Sequence, residues 1–250
     1  MGHKTILITG ASSGIGAALA LVEARPGVTL MLWARDEKRL AGVAAACQAR
    51  GADVQTEIFD LREIGGLAAK LAAADAAIPI DLAIFNAGLG GTASDKNAAE
   101  LPDSARAVAE VNFVAPVVGA NALAEAMAAR GAGHIVLVGS IAESYPLPMA
   151  PTYAGTKAGL RIFAEALRLR LAGHGVKVSL VSPGFIDTPM SRSVNEPKPF
   201  LISADRAAAI ISRKIAQGAH TIVVPWQFRI IRAMTEFLPR FILHRALTHS

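Results

Sequence analysis

The stretch Lys4-Thr5-Ile6-Leu7-Ile8-Thr9-Gly10-Ala11-Ser12-Ser13-Gly14-Ile15-Gly16 decides the fold. Lys4–Thr9 reads as a strand, an apolar run that stops at a glycine. An Ala-rich helix candidate follows, Ile15–Arg25. Between them lie Gly10, Gly14 and Gly16. Glycines there allow a tight turn and let backbone N–H groups approach an anion closely. The helix N-terminus adds the positive end of its dipole. Strand, glycine turn and helix in this order make a cradle for a pyrophosphate. The spacing is Gly-x-x-x-Gly-x-Gly rather than the commoner Gly-x-Gly-x-x-Gly. An ordinary βα turn is the bland alternative, and three glycines so close together weigh against it.

The same alternation continues along the chain. Further strand candidates are Val28–Trp33, Asp53–Phe59, Leu82–Phe85, His134–Gly139, Lys177–Val181 and Thr221–Val224. Helix candidates between them are Glu37–Arg50, Ile64–Ala77, Ala98–Arg130, Tyr153–Gly173 and Ala204–Gln217. Strands alternating with helices predict βαβ units and an α/β fold with one doubly wound parallel sheet of about seven strands. Fully apolar runs such as Ile135-Val136-Leu137-Val138 suit strands covered on both faces. No linker and no repeat divides 1–225. The longest irregular stretch, Ser182 to Ile202, carries Pro183, Pro189, Pro197 and Pro199 and suits a functional loop.

Composition narrows the function classes. The chain has 250 residues, 52% of them hydrophobic and 18% charged, enough for one large core. Cys47 is the only cysteine, so no intrachain disulfide can form. No signal peptide and no spanning helix is expected, and a cytoplasmic protein is the default. The net charge is +5, but the basic residues are scattered without a Lys/Arg block, so nucleic acid is not an expected partner. No metal site is expected.

Two further signals carry chemistry. After the second strand comes Trp33-Ala34-Arg35-Asp36, where the ribose of a dinucleotide would lie. Arg35 would accommodate the 2′-phosphate of NADP, whereas Asp36 would favour NAD or merely cap the next helix. Tyr153 and Lys157 are one helical turn apart on one face. A free tyrosine, with a pKa of about 10, is a poor proton donor at neutrality, and an adjacent ammonium lowers that value.

With Thr9–Gly16, Asn86-Ala87-Gly88, Asn112, Ser140, Tyr153 and Lys157 in this order, the chain resembles the short-chain dehydrogenases/reductases from about Lys4 to about Val224. The resemblance implies a Rossmann-type fold. It assigns Gly10, Ser12, Ser13, Gly14, Ile15 and Gly16 to the cofactor loop. It places Asp60 and Leu61 beside the adenine, Asn86, Ala87 and Gly88 after the fourth strand, and Pro183, Gly184 and Thr188 over the nicotinamide. Ala34 stands where NAD-preferring members usually carry an acid and Arg35 where NADP-preferring members carry a base. Ser13 is not the base that many of the latter have. NADP(H) is therefore favoured over NAD(H). Phe85 stands where the family often has Asn.

The family's chemistry is hydride transfer between the nicotinamide and a carbonyl/alcohol carbon. By resemblance Tyr153 is the general acid/base, Lys157 also holds the nicotinamide ribose, Ser140 bonds the substrate oxygen, and Asn112 holds a water that joins Lys157 to solvent. A catalytically silent NADP(H)-binding regulator is the alternative. Ile141, Ala142, Glu143, Tyr145, Leu147, Met149, Phe185 and Met190 are candidate pocket residues, mostly apolar. Family members are usually dimers or tetramers, so a homo-oligomer is expected.

The segment 226–250 is a basic amphipathic extension. Trp226, Phe228, Ile230, Ile231, Met234 and Phe237 share it with Arg229, Arg232, Arg240 and Arg245. Such a helix packs on its own domain or a second subunit, which is favoured, or lies on an anionic membrane.

Overall fold

The computed structural model describes residues 3–90, 99–193 and 197–237. The strands are β1 (Thr5–Thr9), β2 (Thr29–Ala34), β3 (Asp53–Ile58), β4 (Leu82–Phe85), β5 (Gly133–Val138), β6 (Val176–Pro183), β7 (Ile186–Asp187), β8 (Ile202–Ser203) and β9 (Thr221–Val224). The helices are α1 (Gly14–Glu23), α2 (Glu37–Gln48), α3 (Leu67–Ala77), α4 (Pro102–Ala109), α5 (Ala115–Arg130), α6 (Pro151–Arg170), α7 (Pro189–Arg192), α8 (Ala204–Ala216) and α9 (Gln227–Phe237). Seven strands form one parallel sheet in the order β3-β2-β1-β4-β5-β6-β9. The expected doubly wound α/β architecture is therefore present.

Side chains of a strand alternate between the two faces of the sheet. Ile6 and Ile8 join a core with Leu19 of α1, Leu40 of α2 and Ile211 of α8. Leu7, between them, joins the opposite core with Leu71 of α3, Leu123 of α5 and Leu160 of α6. Both faces are covered, which is why β1 and β4 are buried at every position. The strand order reverses between β1 and β4, and in open parallel sheets this crevice at the carboxyl ends is where ligands bind.

The structure departs from the sequence reading in three places. The long helix expected over Ala98–Arg130 begins at Pro102, and Ala98 lies outside the described residues. It is then broken by a π turn over Glu110–Val114 that carries Asn112. Such turns leave hydrophobic periodicity almost intact and cluster at functional sites. The irregular stretch after Ser182 contains a parallel pairing of β7 with β8 and the four-residue α7. These pieces are too short to show a period. By length and composition the run Pro102–Arg130 could also cross a membrane, but Ala120, Leu123 and Met127 pack it into the core.

Phe85 explains a constraint on α5. Its ring lies against Gly119, where an added Cβ would collide with the ring and meet Leu71 Cδ1 at 3.1 Å. The helix can approach β4 this closely only because position 119 has no side chain. Gly119→Ala should therefore lower stability by about 1–3 kcal/mol through overpacking, despite the better helix propensity of alanine. Denaturant unfolding checks this, and an unchanged midpoint would refute it.

Candidate active site

The glycine turn forms the first half of the site. Gly10 has φ 67°, and a Cβ there would lie 2.7 Å from Ala87 Cα. A Cβ on Gly16 would strike the Gly10 carbonyl and the Asn86 amide. The turn is thus packed backbone to backbone against the end of β4. The Thr9 hydroxyl accepts hydrogen bonds from the N–H groups of Asn86 (3.1 Å) and Ala87 (3.2 Å). Asn86 Nδ2 donates to the carbonyls of Thr9 (3.1 Å) and Gly10 (3.3 Å). Ser13 stands at the N-cap of α1, but its side chain makes no capping bond. The N–H groups of this helix end are left to an outside acceptor. Ser12 and Ile15 are half-buried in the same turn. Thr188 closes it from the other side, its Cγ2 lying 3.1 Å from where a Gly14 Cβ would be. Thr188 accepts from Ser191 N and caps α7. A tight turn, an uncapped helix end and a crevice between β1 and β4 fit a dinucleotide pyrophosphate.

The far end of the crevice is basic. Arg35 is exposed directly after β2. Asp36 accepts from Arg39 N at 3.0 Å as the N-cap of α2, the role left open in the sequence. Asp60 follows β3, and Arg62 grips its carboxylate through Nε at 3.0 and 3.1 Å. Arg62 is the main reason the Asp60 carboxyl is held below its usual range, and Arg35 contributes as well. Sequence reasoning missed Arg62. The signal was Asp60-Leu61-Arg62, a guanidinium two residues after the acid at a strand end. Leu61 turns its side chain to the core.

The second half of the site lies at the end of β5. Ser140 follows the strand by two residues and caps the next turn, its Oγ accepting from Ala142 N at 3.2 Å. The Ser140 side chain lies close enough to the Tyr153 phenol to lower its pKa. Tyr153 and Lys157 sit in the first turns of α6, as their spacing required, with Lys157 Nζ 5.7 Å from the Tyr153 ring centroid. Lys157 is buried and Nζ donates to the Val138 carbonyl at 2.9 Å. Glu100 accepts from the N–H (3.0 Å) and the hydroxyl of Thr152, which satisfies the amino end of α6.

Asn112 is 1% exposed, and both ends of its amide are bonded. Oδ1 accepts from Leu89 N (2.8 Å) and Nδ2 donates to Leu89 O (2.9 Å). The side chain is a brace for the Leu89 main chain. Gly88 lies between Asn112 and Lys157, 3.9 Å from the ammonium at the position a Cβ would take. Pro183 is buried, and Gly184 N donates to Val224 O at 2.8 Å, which fixes the segment above the crevice.

The electrostatics correct one expectation. Burial pushes the Tyr153 phenol up from its ordinary pKa, opposed by the Ser140 side chain and reinforced by Tyr145 and Glu143. Lys157 does not bring the ligand-free phenol below its ordinary value, and burial lowers its own pKa to about 8. Glu143 is a second correction. It was a candidate pocket residue, but it is buried and bonds Ser182 and Arg232 instead. Ala142 is buried as well, whereas Tyr145, Leu147, Met149, Phe185 and Met190 remain accessible.

Known proteins resemble this chain in sequence and fold. The short chain dehydrogenase family profile matches residues 4–199. An uncharacterized oxidoreductase of Myxococcus xanthus is 34% identical over 241 residues, covering 96% of this chain and 94% of the relative. The ketoacyl reductase HetN of Nostoc is 31% identical over 241 residues, 94% of this chain and 83% of its own. A short-chain dehydrogenase from Sphingobium yanoikuyae, solved with NADPH, superposes with a TM-score of 0.80 at 26% identity, covering 94% of this chain and 96% of that one. On this evidence the chain belongs to the short-chain dehydrogenase/reductase family and is an oxidoreductase.

Proposed function

We propose that this enzyme transfers a hydride between NADP(H) and an apolar ketone or its alcohol, with Tyr153 as the general acid/base. The observation that carries the reading is the convergence of Ser140, Tyr153 and Lys157 on the crevice beside the Gly10–Gly16 cradle. When bound, the nicotinamide supplies or takes the hydride. In reduction the Ser140 hydroxyl donates to the substrate oxygen as negative charge builds there. Tyr153 gives that oxygen its proton and becomes a phenolate. The Lys157 ammonium stabilises the phenolate, and the proton returns from solvent past Lys157 and Asn112. In oxidation each step reverses.

The pKa values of the ligand-free site fit this order of events. A raised phenol keeps its proton at neutrality, which suits reduction. A lysine of about 8 can release and regain a proton near working pH. A cofactor ribose within reach of Nζ would draw it from the Val138 carbonyl.

The preference for NADP rests on Arg35 with Arg62 near it, and on Asp36 being spent on the α2 cap. The neighbour from Sphingobium yanoikuyae carries NADPH. An apolar substrate is inferred from Leu147, Met149, Phe185 and Met190. A solved neighbour from Comamonas testosteroni is a bulky-bulky ketone specific alcohol dehydrogenase, with a TM-score of 0.79 at 25% identity, covering 94% of this chain and 95% of that one. A homo-oligomer is part of the proposal, because Ile162 and Leu169 stand exposed on one side of α6. A membrane contact through 226–245 is the alternative for this segment, in which Trp226 and Ile230 are exposed and the residues after 237 lie outside the described ones.

Three outcomes test the reading. Tyr153→Phe should lose several orders of magnitude in turnover while keeping its affinity for NADPH. Near-normal turnover would remove Tyr153 from its role. Arg35→Ala should weaken NADPH binding by about tenfold or more and leave NADH binding nearly unchanged, because only the former loses a charge-assisted phosphate contact. Equal effects on both would contradict the assignment. Lys157 predicts a stability effect. An unfolded lysine keeps its proton to about pH 10.5, whereas the folded one releases it near 8. Below pH 8 the folded state therefore carries the full cost of a buried charge, and the cost fades as pH rises from 8 toward 10.5. Lys157→Met should stabilise the cofactor-free protein by about 1–2 kcal/mol at neutral pH, less than the shift alone implies because Val138 loses a donor. Denaturation at stepped pH should show the gain shrinking through that window.

A further inference from the structure

Glu143 lies in the turn that follows Ser140. Its side chain is completely covered, and it bonds three separate parts of the chain. Oε1 accepts from Ser182 Oγ on β6 at 2.8 Å and from Arg232 Nη1 on α9 at 3.0 Å. Oε2 accepts from the Ser140 N–H at 3.5 Å, a long contact, while Ser140 Oγ accepts from Ala142 N, so the turn is capped reciprocally. Arg232 comes from 89 residues further along the chain, and its side chain is 18% exposed.

The rest of α9 holds the neighbouring wall. Phe228 is 3% exposed and meets the Phe185 and Phe200 rings at 6.1 and 5.8 Å. Its ring lies where a Gly184 side chain would be. One helix thus contacts the Ser140 turn through Arg232 and the segment after Pro183 through Phe228. A buried ion pair is no efficient source of stability, because desolvation of both charges offsets their attraction. What such a pair supplies here is geometry.

We propose that Glu143 is a positioning residue: clasped by Ser182 and Arg232, it docks helix α9 onto the turn that aims Ser140 at Tyr153. The proposal rests on the reading of Ser140 and Tyr153 as the proton-transfer pair. It makes the C-terminal helix part of the working enzyme.

The clasp also places a carboxylate in the field of the site. The charged and titratable groups around Glu143 are Arg232 on α9 and Arg161, Tyr153 and Lys157 on α6. Its charge raises both Tyr153 and Lys157, so neutralising it lowers both. Alcohol oxidation needs the phenolate and rises with pH through the Tyr153 ionisation.

The test uses the full chain and two substitutions. Glu143→Gln should lower kcat by about tenfold, a smaller loss than removal of an oxyanion donor itself, with the KM for the cofactor unchanged. The midpoint of its pH profile for oxidation should move to lower pH, which a purely structural role would not cause. Arg232→Ala should reproduce the fall in kcat, and Arg232→Lys should restore most of it. Amide hydrogen exchange gives a readout that needs no turnover: Arg232→Ala should speed exchange across 140–145 relative to the parent. A Glu143→Gln profile that superimposes on the parent's, or unchanged exchange across 140–145 in Arg232→Ala, overturns the proposal. If the parent turns over no ketone, the functional reading fails on its own and the exchange result alone decides the clasp.

Discussion

The architecture of the site depends on the contact between the Gly10 turn and the Asn86-Ala87 end of β4. Backbone meets backbone there, with Gly10 and Ala87 too close for any side chain to intervene. Thr9 and Asn86 lock the contact with four hydrogen bonds. This brings the cradle and the two following residues, Gly88 and Leu89, to fixed positions at the point where the strand order reverses. Asn112 then holds Leu89 from the π turn, and Gly88 sits beside Lys157. The glycine turn after β1 and the Tyr153–Lys157 pair on α6 are joined through a few atoms of packed main chain.

The second governing constraint is desolvation. The site removes a tyrosine and a lysine from water and so opposes both of their charged forms. In the ligand-free protein neither group activates the other in the simple way that their spacing suggests. The phenol is raised and the lysine lowered, so at neutral pH the phenol keeps its proton while the lysine stays mostly charged but close to releasing its own. A group kept in this state costs folding stability and gains proton mobility, a common exchange at active sites. Glu143 adds a buried negative charge that tunes both groups, and Arg232 offsets part of it.

Much of this was legible in the sequence, for physical reasons. The inner strands of the sheet could be read because buried parallel strands are continuous apolar runs, as in Ile135–Val138, whereas the edge strand β3 is mostly polar and exposed. The glycine loop could be read because backbone packing at Gly10 and Gly16 tolerates nothing else. Tyr153 and Lys157 could be placed because helix periodicity fixes their common face. Asp36 was ambiguous until the cap on Arg39 N was seen. What could not be read depends on long-range pairing. Glu143 looked like a pocket residue, since nothing local announces that its partner is Arg232. Arg62 was passed over because its pairing with Asp60 is a matter of side-chain direction. The π turn, β7 and β8 were hidden because they are shorter than the period that would reveal them.

The central claim is that the two halves form one working oxidoreductase rather than a silent nucleotide binder. Loss of NADPH absorbance across a panel of apolar ketones, with NADPH binding measured on the same sample by nicotinamide fluorescence, tests it most directly. The account predicts binding together with ketone-dependent consumption and an equal amount of alcohol formed. Tight binding of NADPH with no consumption on any ketone of the panel would contradict it.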